Sequence, residues 1–242
     1  AIAQKKKRNI LSIQTVADDY FSLRKDGNSK LTDKSHFTHY LLPYFKNLDF
    51  GNITKDEIQK FTFELKKTKS VLKKELLADK SINNILNFLK ALIKYAFKND
   101  YIKNDFSKYI TLNNIDNARE RFLTKEEIKL LYNEAKDDEI IYLYFKLALN
   151  TGARLSTLRN ISKKDIDFTH NLITLKDFKN NSTYKTFLNS HLKELLQKRV
   201  ENININDKVL STHPSRRIKK ILDDLFNQNI NANDRKNRVV FH

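Results

Sequence analysis

Residues 140–161, IIYLYFKLALNTGARLSTLRNI, decide the reading of the second half of the chain. Ile140 to Leu149 are nearly all apolar, and a helix apolar on every side is one enclosed by protein rather than laid on a surface. Asn150-Thr151-Gly152 ends it, because glycine takes the left-handed backbone that stops a helix without steric cost. Arg154 then stands at the start of a short helix through Leu155-Ser156-Thr157-Leu158. Backbone N–H groups at a helix start and a planar five-donor cation, rigidly held, suit a phosphate. The alternative is an arginine that caps carbonyls or pairs with a carboxylate such as Asp165.

Downstream of this stretch the hydrophobic period changes. Asn171 to Leu175 and Tyr184 to Leu188 read as two short strands around a polar turn at Asn180-Asn181-Ser182, a hairpin. Asn189 caps a helix through Val200. Ser215 caps another, with Ile218, Ile221, Leu222, Leu225 and Phe226 as its buried stripe. Upstream, Thr124-Lys125-Glu126-Glu127 is a capping box, in which the Thr hydroxyl and the Glu carboxylate each satisfy an orphan backbone N–H, with Ile128, Leu130 and Leu131 behind it.

The first half reads as helices alone. Val16, Tyr20 and Leu23 follow a Thr15 cap, and Phe37, Tyr40, Leu41 and Tyr44 share one face of a segment from Ser35 to Phe45 that Gly51 and Asn52 follow as a break. Thr54-Lys55-Asp56-Glu57 is a second capping box, with Ile58, Phe61 and Leu65 as its stripe. The strongest periodicity runs from Asp79 to Asn99, where Ile82, Ile85, Leu86, Leu89, Leu92, Ile93, Ala96 and Phe97 recur at three- and four-residue steps. The expected organisation is a basic linker (1–10, with Lys5 to Asn9 reading KKKRN), a helical domain (11–105), an Asn/Asp-rich linker (106–120) and a second domain (121–242).

Composition narrows the partner. The 242 residues hold 46 Lys+Arg against 29 Asp+Glu, a formal charge of +17, so a densely anionic partner is expected, and nucleic acid and an anionic membrane surface both qualify. A Lys-rich solvated surface accounts for the same charge without any partner. No apolar run is long enough to cross a bilayer and no signal peptide opens the chain, which leads us to expect a cytoplasmic protein. The absence of Cys excludes disulfides and thiolate metal sites. The absence of Met, at position 1 as elsewhere, is expected of a processed product or a segment of something longer.

These pieces together resemble the tyrosine recombinases of the phage-integrase family. Thr151 to Ile161 followed by Lys164-Asp165-Ile166-Asp167 is similar to the segment carrying that family's first catalytic Arg. Ser81 to Leu86 through Tyr95-Ala96 and Tyr101-Ile102 resembles the last helix of its core-binding domain, and Arg121-Phe122-Leu123-Thr124 with Glu126-Glu127-Ile128 its entry to the catalytic domain. The parts stand in family order over nearly the whole chain from Thr15.

The resemblance implies a mainly α fold with a small β component: a SAM-like helical core-binding domain plus a mixed α/β catalytic domain. It implies duplex DNA as substrate, the two domains closing on it like a clamp, strand exchange through a 3′-phosphotyrosyl link, a homo-oligomer (tetramer) on paired sites, and no metal or nucleotide cofactor. Carried over residue by residue, Arg154 would hold non-bridging oxygens of the scissile phosphate. Lys179 in the hairpin turn would be the general acid toward the departing 5′ oxygen, with Lys176 and Lys185 as neighbours easily confused with it. His242 matches the first His of the His-x-x-Arg motif. The second Arg, the later His or Trp and the nucleophilic Tyr have no counterpart here, so the 242-residue chain is expected to bind DNA without cleaving it; Tyr184, near the hairpin, is assigned to packing.

Two positions depart from the pattern: Thr157 stands where relatives usually carry an acid, and Asp105 where many have Pro. The competing readings are a noncatalytic DNA-binding regulator of the same fold and a basic RNA-binding helical protein.

Overall fold

The computed structural model describes residues 10–115, 118–210, 212–232 and 234–241. The chain divides into two compact units, residues 1–116 and 117–242. The basic lead-in, apart from Ile10, lies outside the described residues.

The first unit is helical. Helix α1 (Ile13–Ser22) starts one turn earlier than the sequence suggests, because Ser12 rather than Thr15 is its cap, its Oγ accepting the Gln14 N–H at 3.1 Å. Helix α2 (Asn28–His36) also starts early. None of its residues is fully buried, so it presents no apolar stripe to read. It runs through a π-turn (Phe37–Leu41) into α3 (Leu42–Phe45). Pro43 lacks an N–H and cannot continue the regular ladder, and a local π-turn is one way a helix absorbs that loss.

Helix α4 (Lys55–Lys67) opens on the expected capping box, with Glu57 N–H to Thr54 Oγ1 at 3.2 Å and Thr54 N–H to Glu57 Oε2 at 2.7 Å. Helix α5 (Asp79–Lys98) is the axis of the core: Ile85, Leu86, Leu89, Leu92 and Ile93 are fully buried, each contributing about 1.5–3 kcal/mol of transfer free energy. Phe97, placed on that stripe by its spacing, is exposed instead. Phe106 and Ile110, in the stretch read as linker, belong to this same core. Asn83 and Asn113 exchange hydrogen bonds at 2.9 and 2.8 Å, which ties that stretch to α5.

The second unit packs helices on a three-stranded antiparallel sheet. Helix α6 (Lys125–Ala135) opens on the second capping box, and Arg121 adds a two-pronged contact to the same Glu127 at 3.0 and 2.5 Å. Helix α7 (Glu139–Thr151) buries Ile141, Leu143, Tyr144, Phe145 and Leu147, but it is not enclosed on every side as expected: Ile140, Tyr142 and Ala148 are half-buried and Leu149 is exposed. Tyr144 donates its hydroxyl to the Thr212 carbonyl at 3.1 Å, and burial pushes that phenol up to about 12. Gly152 closes α7 at φ +65°.

The short helix α8 (Leu155–Arg159) leads to strand β1 (Ile166–Asp167), β2 (Leu172–Asp177) and β3 (Ser182–Phe187), in sheet order β1-β2-β3. Asn189 caps α9 (Ser190–Val200) through its Oδ1. Helix α10 (Ser215–Leu222) is capped at Pro214, with Ser215 its first residue rather than its cap. Its apolar side carries the buried Ile218 and Leu222, and Arg216, Arg217, Lys219 and Lys220 are exposed.

Candidate active site

The site begins with the stop of α7. With Gly152 in the left-handed region, the chain turns sharply through the buried Ala153 and delivers Arg154, in extended backbone, to the residue before α8. Its side chain makes no capping bond to that helix. Instead the guanidinium pairs with Asp177, 23 residues on, at the last residue of β2. The two groups differ in exposure: the Arg154 side chain is 45% exposed and the Asp177 side chain 9%.

Asp177 is placed by the pleat. In the register Leu175 faces Tyr184 and Asp177 faces Ser182, and the buried side of β2 reads Ile173, Leu175, Asp177. A carboxylate on that face needs partners, and it has them. Oδ2 takes the Arg154 guanidinium and Oδ1 accepts the backbone N–H of Lys179 at 3.1 Å. Burial alone would push the Asp177 carboxyl up. The Lys179 N–H, the Arg154 guanidinium and the Asn180 N–H outweigh it and hold the group below the usual carboxylate range.

The hairpin turn is therefore built on the same carboxylate. It comprises Phe178, Lys179, Asn180 and Asn181, with Asn181 in the left-handed region at φ 50°. The strands extend to Asp177 and from Ser182, beyond the ends expected from hydrophobicity, because the polar Lys176-Asp177 and Ser182-Thr183 pairs complete the ladder. Lys179 is exposed, and its ammonium has no ion-pair partner among the described residues.

Its two neighbours are differently engaged. Lys176 reaches Asp165 at 3.1 Å, and Lys185 sits across from Thr174 on the sheet face opposite Asp177. The carboxylate that meets Arg154 is thus not Asp165, which is occupied by Lys176 and by the Ser162 N–H at 2.9 Å. Thr157, where an acid would be expected, is buried at 2% exposure. His242 lies outside the described residues.

Two domain models match the chain. That of the phage integrase family covers residues 121–242, and that of the phage integrase SAM-like domain covers 13–118. The chain belongs to the phage integrase family. Solved structures agree in fold with this family of tyrosine recombinases. The Tn1549 transposon integrase, in complex with a circular intermediate DNA, superposes with a TM-score of 0.67 at 14% identity, over 90% of this chain and 80% of its own. A lambda integrase dimer bound to a COC′ core site gives 0.64 at 17%, over 84% of this chain and 57% of its own. A lambda integrase tetramer bound to a Holliday junction gives 0.68 at 15%, over 91% and 67%. No curated protein matches.

In this phage-integrase chain the structure brings Arg154 and the Lys179 turn to one carboxylate. Asp177, the carboxylate at which the two meet, is not among the residues singled out from the sequence. The one available signal was an acid two residues before a candidate turn Lys, and nothing in local pattern marks such an acid as a partner for Arg154. Among the described residues no helix is long and apolar enough to cross a membrane.

Proposed function

We propose that the chain is the DNA-binding and phosphate-holding part of a site-specific recombinase, in which Arg154 and Lys179 meet one DNA phosphate. The observation that carries this reading is the shared carboxylate: Asp177 holds the Arg154 guanidinium by one oxygen and the Lys179 turn by the other. A guanidinium with one nitrogen engaged keeps further N–H donors for the non-bridging oxygens of a phosphate. The Lys179 ammonium, on the exposed turn that the same carboxylate holds, neutralises charge and gives its proton to the departing 5′ oxygen. In the strand-exchange step a Tyr oxygen forms a bond to phosphorus as the bond to the 5′ oxygen breaks. A 5′ hydroxyl of a second strand reverses it. By the family resemblance His242 is a further member of the catalytic set, and paired sites are held by a homo-oligomer.

Duplex DNA is the substrate, and the formal charge of +17 supplies the sequence-independent part of the affinity. A noncatalytic regulator of this fold would share that term without using Arg154 on any one phosphate. The test is a methylphosphonate scan of a duplex selected by the chain from a random-sequence library. Neutralising one particular phosphate is expected to weaken the wild-type chain but not Arg154→Ala, whereas a variant that loses the same affinity at every position would remove the reading.

A further inference from the structure

We propose that Asp177 is a positioning residue for Arg154: a buried carboxylate, locked to the hairpin turn, that sets the direction in which the guanidinium presents its remaining donors. This rests on the reading of Arg154 as a phosphate ligand.

Arg154 and Asp177 differ in freedom. Arg154 precedes a five-residue helix, makes no capping bond and has a side chain nearly half exposed, so by itself it would sample many rotamers. Asp177 is the reverse. It ends β2, pairs with Ser182 in the last rung of the ladder, and lies on the buried face behind Ile173 and Leu175. The Lys179 N–H on Oδ1 keeps the carboxylate from turning to follow the arginine. Of the two partners, the arginine is the one that conforms.

The carboxylate is not an acid or base for the reaction. Its oxygens are taken by Arg154 and by the turn, its side chain is mostly covered, and the same partners keep it ionised. It acts through Arg154. Because it also fixes the turn, it sets Arg154 and the Lys179 backbone in one frame.

A matched control is built into the same strand. Lys176 and Asp165 form an ion pair of the same kind, an exposed cation on a buried carboxylate that also accepts a backbone N–H. It lies on the other face of β2. Removing the Asp165 charge disturbs the unit as removing the Asp177 charge does, without touching Arg154.

The experiment measures, for each variant, the ratio of affinities for the selected duplex and for the same duplex with methylphosphonate at the Arg154-dependent position, together with thermal unfolding. Asp177→Asn keeps an oxygen for the turn and loses the charge. It is expected to lower the ratio about fivefold or more. Asp177→Glu, with its charge intact, recovers part of the ratio and gives a second variant if the first melts. Asp165→Asn costs stability and leaves the ratio at the wild-type value. If Arg154→Ala abolishes the ratio while both Asp177 variants keep it, or if Asp165→Asn lowers it equally, the positioning role is overturned and the phosphate reading stands. If Arg154→Ala itself leaves the ratio intact, the reading beneath fails first.

Discussion

Arg154 and Asp177 form an ion pair between the residue that precedes α8 and the last residue of β2, across 23 residues of sequence. The pair joins two structural accidents that each look local. One is a left-handed Gly152 that swings the chain out of α7, and the other is a strand whose final buried position is a carboxylate. Neither is a site alone. Together they bring a cation with spare donors and the backbone of the Lys179 turn to one carboxylate.

Association with duplex DNA is expected to depend steeply on salt. With 46 Lys+Arg against 29 Asp+Glu, phosphate neutralisation should release counterions on binding. If about six phosphates are engaged, affinity falls by about 10³-fold between 50 and 200 mM salt. Fluorescence anisotropy across a salt series gives the slope. A flat response, or structured RNA bound more tightly at matched salt, would contradict the DNA reading.

Gly152→Ala is expected to destabilise the second unit by about 1 kcal/mol. At φ +65° an added Cβ would meet no atom within 4 Å, so the cost is the left-handed backbone itself and not a clash. Urea unfolding checks the size. An unchanged midpoint would mean that Ala adopts this turn freely, and the sharp delivery of Arg154 would need another cause.

The Arg121–Glu127 contact carries a pH signature. The Arg121 guanidinium and then the Thr124 N–H hold the Glu127 carboxyl below its usual 4.5. A lowered folded-state value means that the contribution is present above about 4.5 and is lost as pH falls through the folded value. Glu127→Gln can still cap the helix, so the difference isolates the charge. The melting-temperature gap between wild type and Glu127→Gln is expected near neutrality and should close in acid. A constant gap down to strongly acid pH would assign the effect to packing.

None of the tyrosines of the second unit is expected to act as nucleophile. Tyr132 and Tyr142 pack against each other beside Lys146, and Tyr144 is buried with its hydroxyl on Thr212. Tyr184 faces Leu175 across the ladder, on the face that bears Asp177, and so is the one to test. Incubated with a nicked suicide duplex, the 242-residue chain should give no covalent protein–DNA band. A band lost in Tyr184→Phe would place the nucleophile in β3.

Legibility followed the range of the interactions. Both capping boxes and the α5 stripe were readable because their partners lie three or four residues apart. Helix α2 was missed before Ser35 because a helix with no buried residue leaves no periodic trace. The cap of α1 was placed at Thr15 rather than Ser12 because both are small polar residues eligible by type, and that of α10 at Ser215 because Pro214, which has no side-chain cap bond to offer, leaves no cap signal. In the site, Arg154 was marked by its place after a helix-ending glycine, with a carboxylate pair as the alternative, and Lys179 only through the resemblance. Asp177 stayed hidden because hydrophobic pattern ended β2 at Leu175, and because the acid that binds an arginine 23 residues away is set by sheet register.

The most direct test of the account is a structure of the chain bound to its selected duplex. There the Arg154 guanidinium, still paired with Asp177, is expected to donate to non-bridging oxygens of one phosphate at about 2.7–2.9 Å, with the Lys179 turn bordering that same phosphate. DNA bound on another face, with Arg154 turned away from every phosphate and held by Asp177 alone, would contradict it.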